Sequence, residues 1–180
     1  MARKMRNKDK KEQKNGEKLI ELLVQNATRE LATYYYYSVL CVCLNELEGG
    51  GIREILEAAR IKDRKHFEAL AERIYELGGS LPSNIQELDD APVCPAALST
   101  GDPANVQKVL HLLIEAERCA LRGYTRICNM TAGRDHATYL MALEILNQEL
   151  EHKAWFSQFL ADESPETIHD SNSPFIVDSK

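Results

Sequence analysis

Four stretches of this 180-residue chain show helical periodicity, and each carries an acid in the middle of its apolar stripe. Residues three and four apart share one face of a helix, so a face can be followed in those steps. From about Gly16 to Glu48 the steps give Leu23, Ala27, Glu30, Tyr34, Tyr37 and Cys41. From about Ile52 to Leu77 they give Leu56, Ala59, Asp63, His66, Leu70 and Ile74. A third stretch, Asp102 to Thr131, gives Leu110, Leu113, Glu117, Ala120, Tyr124 and Ile127; a fourth, Asp135 to Leu160, gives Ala142, Ile145, Glu149, His152 and Phe156. An ionised carboxylate in an apolar core costs several kcal/mol unless something positive accompanies it. Counted from the expected helix starts, the four acids lie about 11 to 15 residues in, or about 16 to 22 Å at 1.5 Å per residue. Antiparallel packing of such helices would bring them to one level.

The helices stop at recognisable signals: "GGG" at 49–51, "GGS" at 78–80 and Gly133. About 25 residues separate the second helix from the third, far more than a hairpin needs and enough to run the length of a bundle. The expected fold is all-α, a ferritin-like four-helix bundle with one long crossover between helices two and three. Residues 1–15 have almost no apolar side chain to bury and are expected to form a flexible basic arm, disordered or only loosely helical. Residues 16–162 would form the bundle and 163–180 an acidic tail.

Charge is uneven. The net charge is -6, yet residues 1–18 hold eight Lys/Arg against three Asp/Glu, so an acidic body carries a basic end. No apolar run is long enough to cross a bilayer and the N-terminus lacks the apolar core of a signal peptide, so no membrane partner and a cytoplasmic location are expected. The five cysteines, Cys41, Cys43, Cys94, Cys119 and Cys128, form no CxxC pair, which argues against a zinc ribbon or a disulfide-stapled secreted domain.

The acids are accompanied by two imidazoles and by no Lys or Arg on the same stripes. Asp63 and His66 are spaced i, i+3, as are Glu149 and His152, so each pair can reach one site from one helix. Four carboxylates and two histidines, divided in this way over four helices, form the ligand pattern of di-iron carboxylate bundles. Hard oxygen donors with one imidazole per metal suit iron or manganese, and the lack of thiolates argues against structural zinc. One such spacing arises easily by chance; two, with lone acids at matching depth on the other helices, do not. His111, His136 and His169 lack that company and read as surface residues. Tyr34 and Tyr37 share the Glu30 face, and Tyr124 shares the Glu117 face, placed either to pack the core or to hydrogen-bond a ligand.

Beyond the spacing, "ELATYYYYSV" at 30–39, "HFEALAERIYELGG" at 66–79, "EAERCALRGY" at 115–124 and "ILNQELEH" at 145–152 resemble segments of the Dps-like ferritins, or thioferritins. Cys94, placed before "ERC" at 117–119, resembles them too. The resemblance spans roughly residues 17 to 161. It implies that Glu30 and His66 hold one iron, Glu117 and His152 the other, and that Asp63 and Glu149 bridge them. The family has Glu where Asp63 stands, so Asp63 reaches one methylene less far. The resemblance further implies two irons per subunit, with manganese or zinc able to substitute, and a twelve-subunit cage. That cage would oxidise Fe(II) with hydrogen peroxide and keep the ferric product, protecting against oxidative stress. Cys94 and Cys119 resemble the family's paired cysteines near the metal site, and the basic arm resembles Lys-rich tails that bind DNA. The alternatives are a non-storing di-metal peroxidase or manganese-catalase-like enzyme, and a DNA-compacting shell with a merely structural metal site.

Overall fold

The computed structural model describes residues 2–44, 50–84 and 105–162 and, among them, four helices and no strand. They are α1 (Ala2–Leu44), α2 (Gly50–Glu76), α3 (Val106–Thr131) and α4 (His136–Asp162). The all-α expectation holds, and two helix starts differ from it. The segment expected to be a flexible arm over residues 1–15 is helical from Ala2 and continuous with α1. Lys, Arg, Gln and Glu are good helix formers, and Gln13 donates to Glu17 one turn on at 3.1 Å, so a lack of apolar residues does not end the helix. At the other difference, α3 starts after Asn105 rather than near Asp102. Asn105 has non-helical backbone angles, and its side-chain oxygen accepts from the Lys108 N–H at 2.9 Å, which caps the helix. The expected acidic tail, residues 163–180, and Cys94 lie outside the described residues.

α2 ends as its "GGS" predicts. Gly78 takes a left-handed φ of 79°, its N–H donates to the Tyr75 carbonyl at 3.0 Å, and the Gly79 N–H donates to the Ile74 carbonyl at 2.9 Å. That is the Schellman pattern, which needs a residue free of Cβ strain at the left-handed position. Gly133, with φ of 69°, makes the corresponding turn between α3 and α4.

α1 pairs with α2 and α3 with α4, and the two pairs meet through α1 against α3 and α2 against α4. Contacts between distant residues set the directions. Arg60 of α2 donates to Ser38 of α1, while Gly79, beyond the end of α2, packs on Ile20. Tyr37 and Tyr124 bond Glu117 and Glu30 respectively, which makes α1 and α3 antiparallel. Lys62–Glu151 and Arg73–Asp135 do the same for α2 and α4. α2 and α3 therefore run in the same direction, so the end of one and the start of the other lie at opposite ends of the bundle. This is the topology that a long link demands; the link itself, over residues 85–104, lies outside the described residues.

The core is divided. One apolar cluster gathers Leu40, Leu44, Ile52, Leu56, Leu110 and Phe156 toward one end of the bundle. Another gathers Leu23, Leu70, Ile74, Ile127, Ala142 and Ile145 toward the other. Along every helix the acidic residues fall between the two. The apolar clusters supply the driving force for assembly, at about 1.5 to 3 kcal/mol for each large side chain fully buried.

Asp135 ties the α3–α4 turn to α2. It accepts from the Thr138 N–H at 3.1 Å and from the Thr138 hydroxyl, and Arg73 donates to its two oxygens at 2.9 and 3.0 Å. Burial would raise its pKa, but the Thr138 bonds and Arg73 outweigh it and hold Asp135 below the usual aspartate range. Asp135→Ala should therefore cost about 1 to 3 kcal/mol in urea unfolding. Because the folded pKa is depressed, this contribution is present above the unfolded value and lost as pH falls through the folded one. The gap between wild type and variant should shrink in acid; a gap unchanged at about pH 2 would show that the carboxylate charge is not what stabilises.

Candidate metal centre

Glu30 comes from α1, Asp63 and His66 from α2, Glu117 from α3, and Glu149 and His152 from α4. All six are buried, none more than 3% exposed. The expected common level is reached, although not by equal depth, since α1 starts earlier and α3 later than the count assumed. Antiparallel contact between distant residues sets the level instead.

Potential ligand atoms gather in two groups, each within 4.8 Å: Glu30, Asp63, His66 and Glu149 in one, and Glu117, Glu149 and His152 in the other. His66 Nδ1 lies 2.8 Å from Glu149 Oε1, 3.4 Å from Glu30 Oε2 and 4.0 Å from Asp63 Oδ1. His152 Nδ1 lies 3.6 Å from Glu149 Oε2, 3.7 Å from Asp63 Oδ1 and 3.9 Å from Glu117 Oε2. Glu149 thus turns one oxygen to each imidazole. Asp63, with its shorter reach, stands between the imidazoles through Oδ1 alone. The two rings lie 6.1 Å apart and 25° from parallel.

Five of these donors have no hydrogen-bond partner: Asp63 Oδ2, His66 Nδ1, Glu149 Oε1 and both nitrogens of His152. A buried polar atom left unpaired costs about 1 to 3 kcal/mol. The carboxylate oxygens, with one nitrogen of each neutral imidazole, fit divalent cations, which would accept their lone pairs, and the oxygen-rich set suits iron or manganese. Titration follows the same crowding. Burial first, then the neighbouring carboxylates, push Asp63 and Glu117 well above their usual range. Burial would lower His66, but Glu149 and Glu30 outweigh it and raise its pKa to about 10. His152, lowered chiefly by burial, falls to about 4.

Tyrosines brace the carboxylates crosswise. Tyr37 of α1 donates to Glu117 of α3 at 2.7 Å, and Tyr124 of α3 donates to Glu30 of α1 at 2.6 Å. Each tyrosine stands seven residues after one acid and bonds the other. Tyr34, grouped with them in the sequence, lies instead under the Arg60 guanidinium, 5.8 Å from its ring centre. Three further partners escape a reading confined to the stripes. Gln148 Oε1 meets His66 Nε2 at 2.9 Å, Arg29 donates to Asn26 at 2.7 Å beside Glu30, and Lys62 sits over the Trp155 ring next to His152. Their only sequence signal is adjacency, since Gln148, Arg29 and Lys62 each immediately precede a stripe acid. Gly123 leaves room for Asn26 and Arg29: a Cβ there would lie 2.1 Å from Asn26 Oδ1 and 2.6 Å from Arg29 Nη1.

Cys119 is half-buried and disulfide-bonded, while Cys41, Cys43 and Cys128 are free thiols. Cys94, its expected partner, lies outside the described residues. His111 and His136 are exposed, as expected, and His169 lies outside the described residues.

Residues 20–164 match the ferritin-like domain family. Over 144 residues, 80% of this chain and 77% of the relative, the sequence is 51% identical to the DNA protection during starvation protein of Pyrococcus furiosus. Among solved structures, a dodecameric thioferritin, the bacterioferritin-related protein from Bacteroides fragilis, superposes with a TM-score of 0.71 at 26% identity. That match covers 82% of this chain and 86% of the other. The bacterioferritin of Desulfovibrio desulfuricans, described with a diiron site in different catalytic states, shares the fold at a TM-score of 0.65 and 19% identity, over 91% and 97% of the two chains.

The crosswise tyrosines yield a test. Tyr37→Phe and Tyr124→Phe each leave a buried carboxylate one bond short, so each should destabilise chelator-treated protein by about 1 to 3 kcal/mol in urea. Unchanged unfolding midpoints would mean that the phenols pack against the carboxylates without holding them.

Proposed function

The chain belongs to the ferritin-like domain family, and on that premise we propose that it is a mini-ferritin. It takes up two Fe(II) ions per subunit at the buried centre, oxidises them with hydrogen peroxide in preference to dioxygen, and keeps the ferric product inside a cage of its own copies. The observation that carries this reading is the meeting, between two apolar clusters, of six buried donors, several of them unpartnered. Two Fe(II) ions held side by side give one electron each to the same hydrogen peroxide, which takes two protons from solvent and is cleaved at its O–O bond to two waters, leaving two Fe(III) and releasing no hydroxyl radical.

The residues then divide the work. Glu30 and His66 hold one position, Glu117 and His152 the other. Glu149 faces both through its two oxygens, and Asp63 faces both through one. Neutral imidazoles add no charge, while the carboxylates offset the positive charge gained when Fe(II) becomes Fe(III). Tyr37 and Tyr124 orient Glu117 and Glu30, which would otherwise rotate.

Support for a cage comes from the thioferritin, which is described as dodecameric, and from the outer face of α1. There Tyr35, Val39 and Val42, spaced i, i+4, i+7, are 61%, 38% and 68% exposed, an apolar stripe suited to contact with a second copy. The net charge of -6 favours accumulation of cations around such a shell.

The test is anaerobic Fe(II) loading followed by stopped-flow absorbance after peroxide or air, with retained iron measured after size-exclusion chromatography. Fast peroxide-driven oxidation and many irons per subunit in a large particle are expected. The double variant Glu149→Ala, His152→Ala should lose peroxide-dependent oxidation by at least about 100-fold while still assembling. Retained oxidation in that variant would overturn the assignment of the site, and gas evolution without mineral would point to a catalase-like enzyme instead.

A further inference from the structure

The bundle is built from two halves that mirror each other. α1 and α2 supply Glu30, Asp63, His66 and Tyr37; α3 and α4 supply Glu117, Glu149, His152 and Tyr124. The mirror extends one residue outward, because Lys62 precedes Asp63 as Gln148 precedes Glu149, and each lies beside the histidine of the opposite half. There the mirror breaks, because one is a neutral amide and the other a cation.

Gln148 presents Oε1 to His66 Nε2 at 2.9 Å, and its amide nitrogen faces Glu144 at 3.5 Å, so the carbonyl is the end turned to the ring. A carbonyl only accepts, so Nε2 carries the proton and Nδ1, which faces Glu30, Asp63 and Glu149, is the nitrogen left for a metal. His152 has no such anchor, for both its nitrogens are without a partner. Lys62 instead holds its ammonium 4.8 Å from the centre of the Trp155 ring, which lies 5.4 Å from His152, and is kept there by Glu151 at 2.9 Å. A fixed positive charge on that side opposes a second one at His152. Carboxylates do not separate the two positions, since three face each imidazole: Glu30, Asp63 and Glu149 at His66, and Asp63, Glu117 and Glu149 at His152.

We propose that Gln148 and Lys62 make the two metal positions unequal, Gln148 strengthening the His66 position and Lys62 weakening the His152 position, so that one ion resides and the other exchanges. Both are positioning or field residues and neither touches a metal. The inference rests on the di-metal reading above and adds a division of labour to it.

The experiment is isothermal titration of full-length, metal-free protein with Zn(II), a redox-inert probe, so that binding is read without turnover. Two steps are expected, separated by at least about tenfold, with His66→Ala removing the tighter and His152→Ala the weaker. Lys62→Gln should tighten the second step about fivefold and leave the first in place. Gln148→Leu should loosen the first step about 10- to 100-fold, and Gln148→Glu, which keeps an acceptor, should restore it. Two equal steps in wild type, or a second step unmoved by Lys62→Gln, would overturn the proposal while leaving the di-metal centre standing. Absence of any binding that depends on His66 or His152 would overturn the centre itself.

Discussion

Four carboxylates brought to one level inside a helical bundle repel one another, and burial denies them the water that would screen that repulsion. The rest of the structure can be read as the response. Protons are held more tightly than usual on Asp63 and Glu117, the neighbouring carboxylates raise the pKa of His66, and two phenols bridge the helices to give Glu30 and Glu117 a donor each. These measures leave atoms of His152, Asp63 and Glu149 without partners. The centre therefore lacks a counter-charge, and the divalent ions proposed above would supply one.

Such a centre survives because the remainder of the bundle stabilises it from both ends. Apolar clusters above and below seal the polar layer, so its cost falls on a structure whose folding is driven elsewhere. The direction of the helices matters as much as their packing. With α1 antiparallel to α3 and α2 to α4, residues numbered far apart meet in crosswise pairs, and the two halves become near copies around one space. The near symmetry also exposes the departures from it, Asp63 opposite Glu149 and Lys62 opposite Gln148.

Much of this was legible in the sequence. An acid in each of four apolar stripes, with histidine three residues on in two of them, identified all six buried donors, because i, i+3 neighbours share a helix face whatever the tertiary fold. Gly78 and Gly133 marked turns for an equally local reason. Other features were not legible. The basic segment reads as a flexible arm, yet it extends α1 as helix, since propensity and side-chain bonding along a helix do not require burial. Tyr34 and Tyr37 looked equivalent on one stripe, but only Tyr37 reaches across to a carboxylate. Gln148, Arg29 and Lys62 lie off the stripes, and their relevance comes entirely from the opposite helix.

The sequence by itself determined the helices, the faces they bury and the chemical character of what those faces bring inside, all of which follow from periodicity within a single helix. Only the tertiary structure decided which acid each tyrosine braces, which oxygen of Glu149 meets which imidazole, and that one histidine is anchored while the other lies near a lysine. Those are contacts between residues up to 94 positions apart. No pattern along one helix encodes them, because they depend on how four helices are turned and slid against one another.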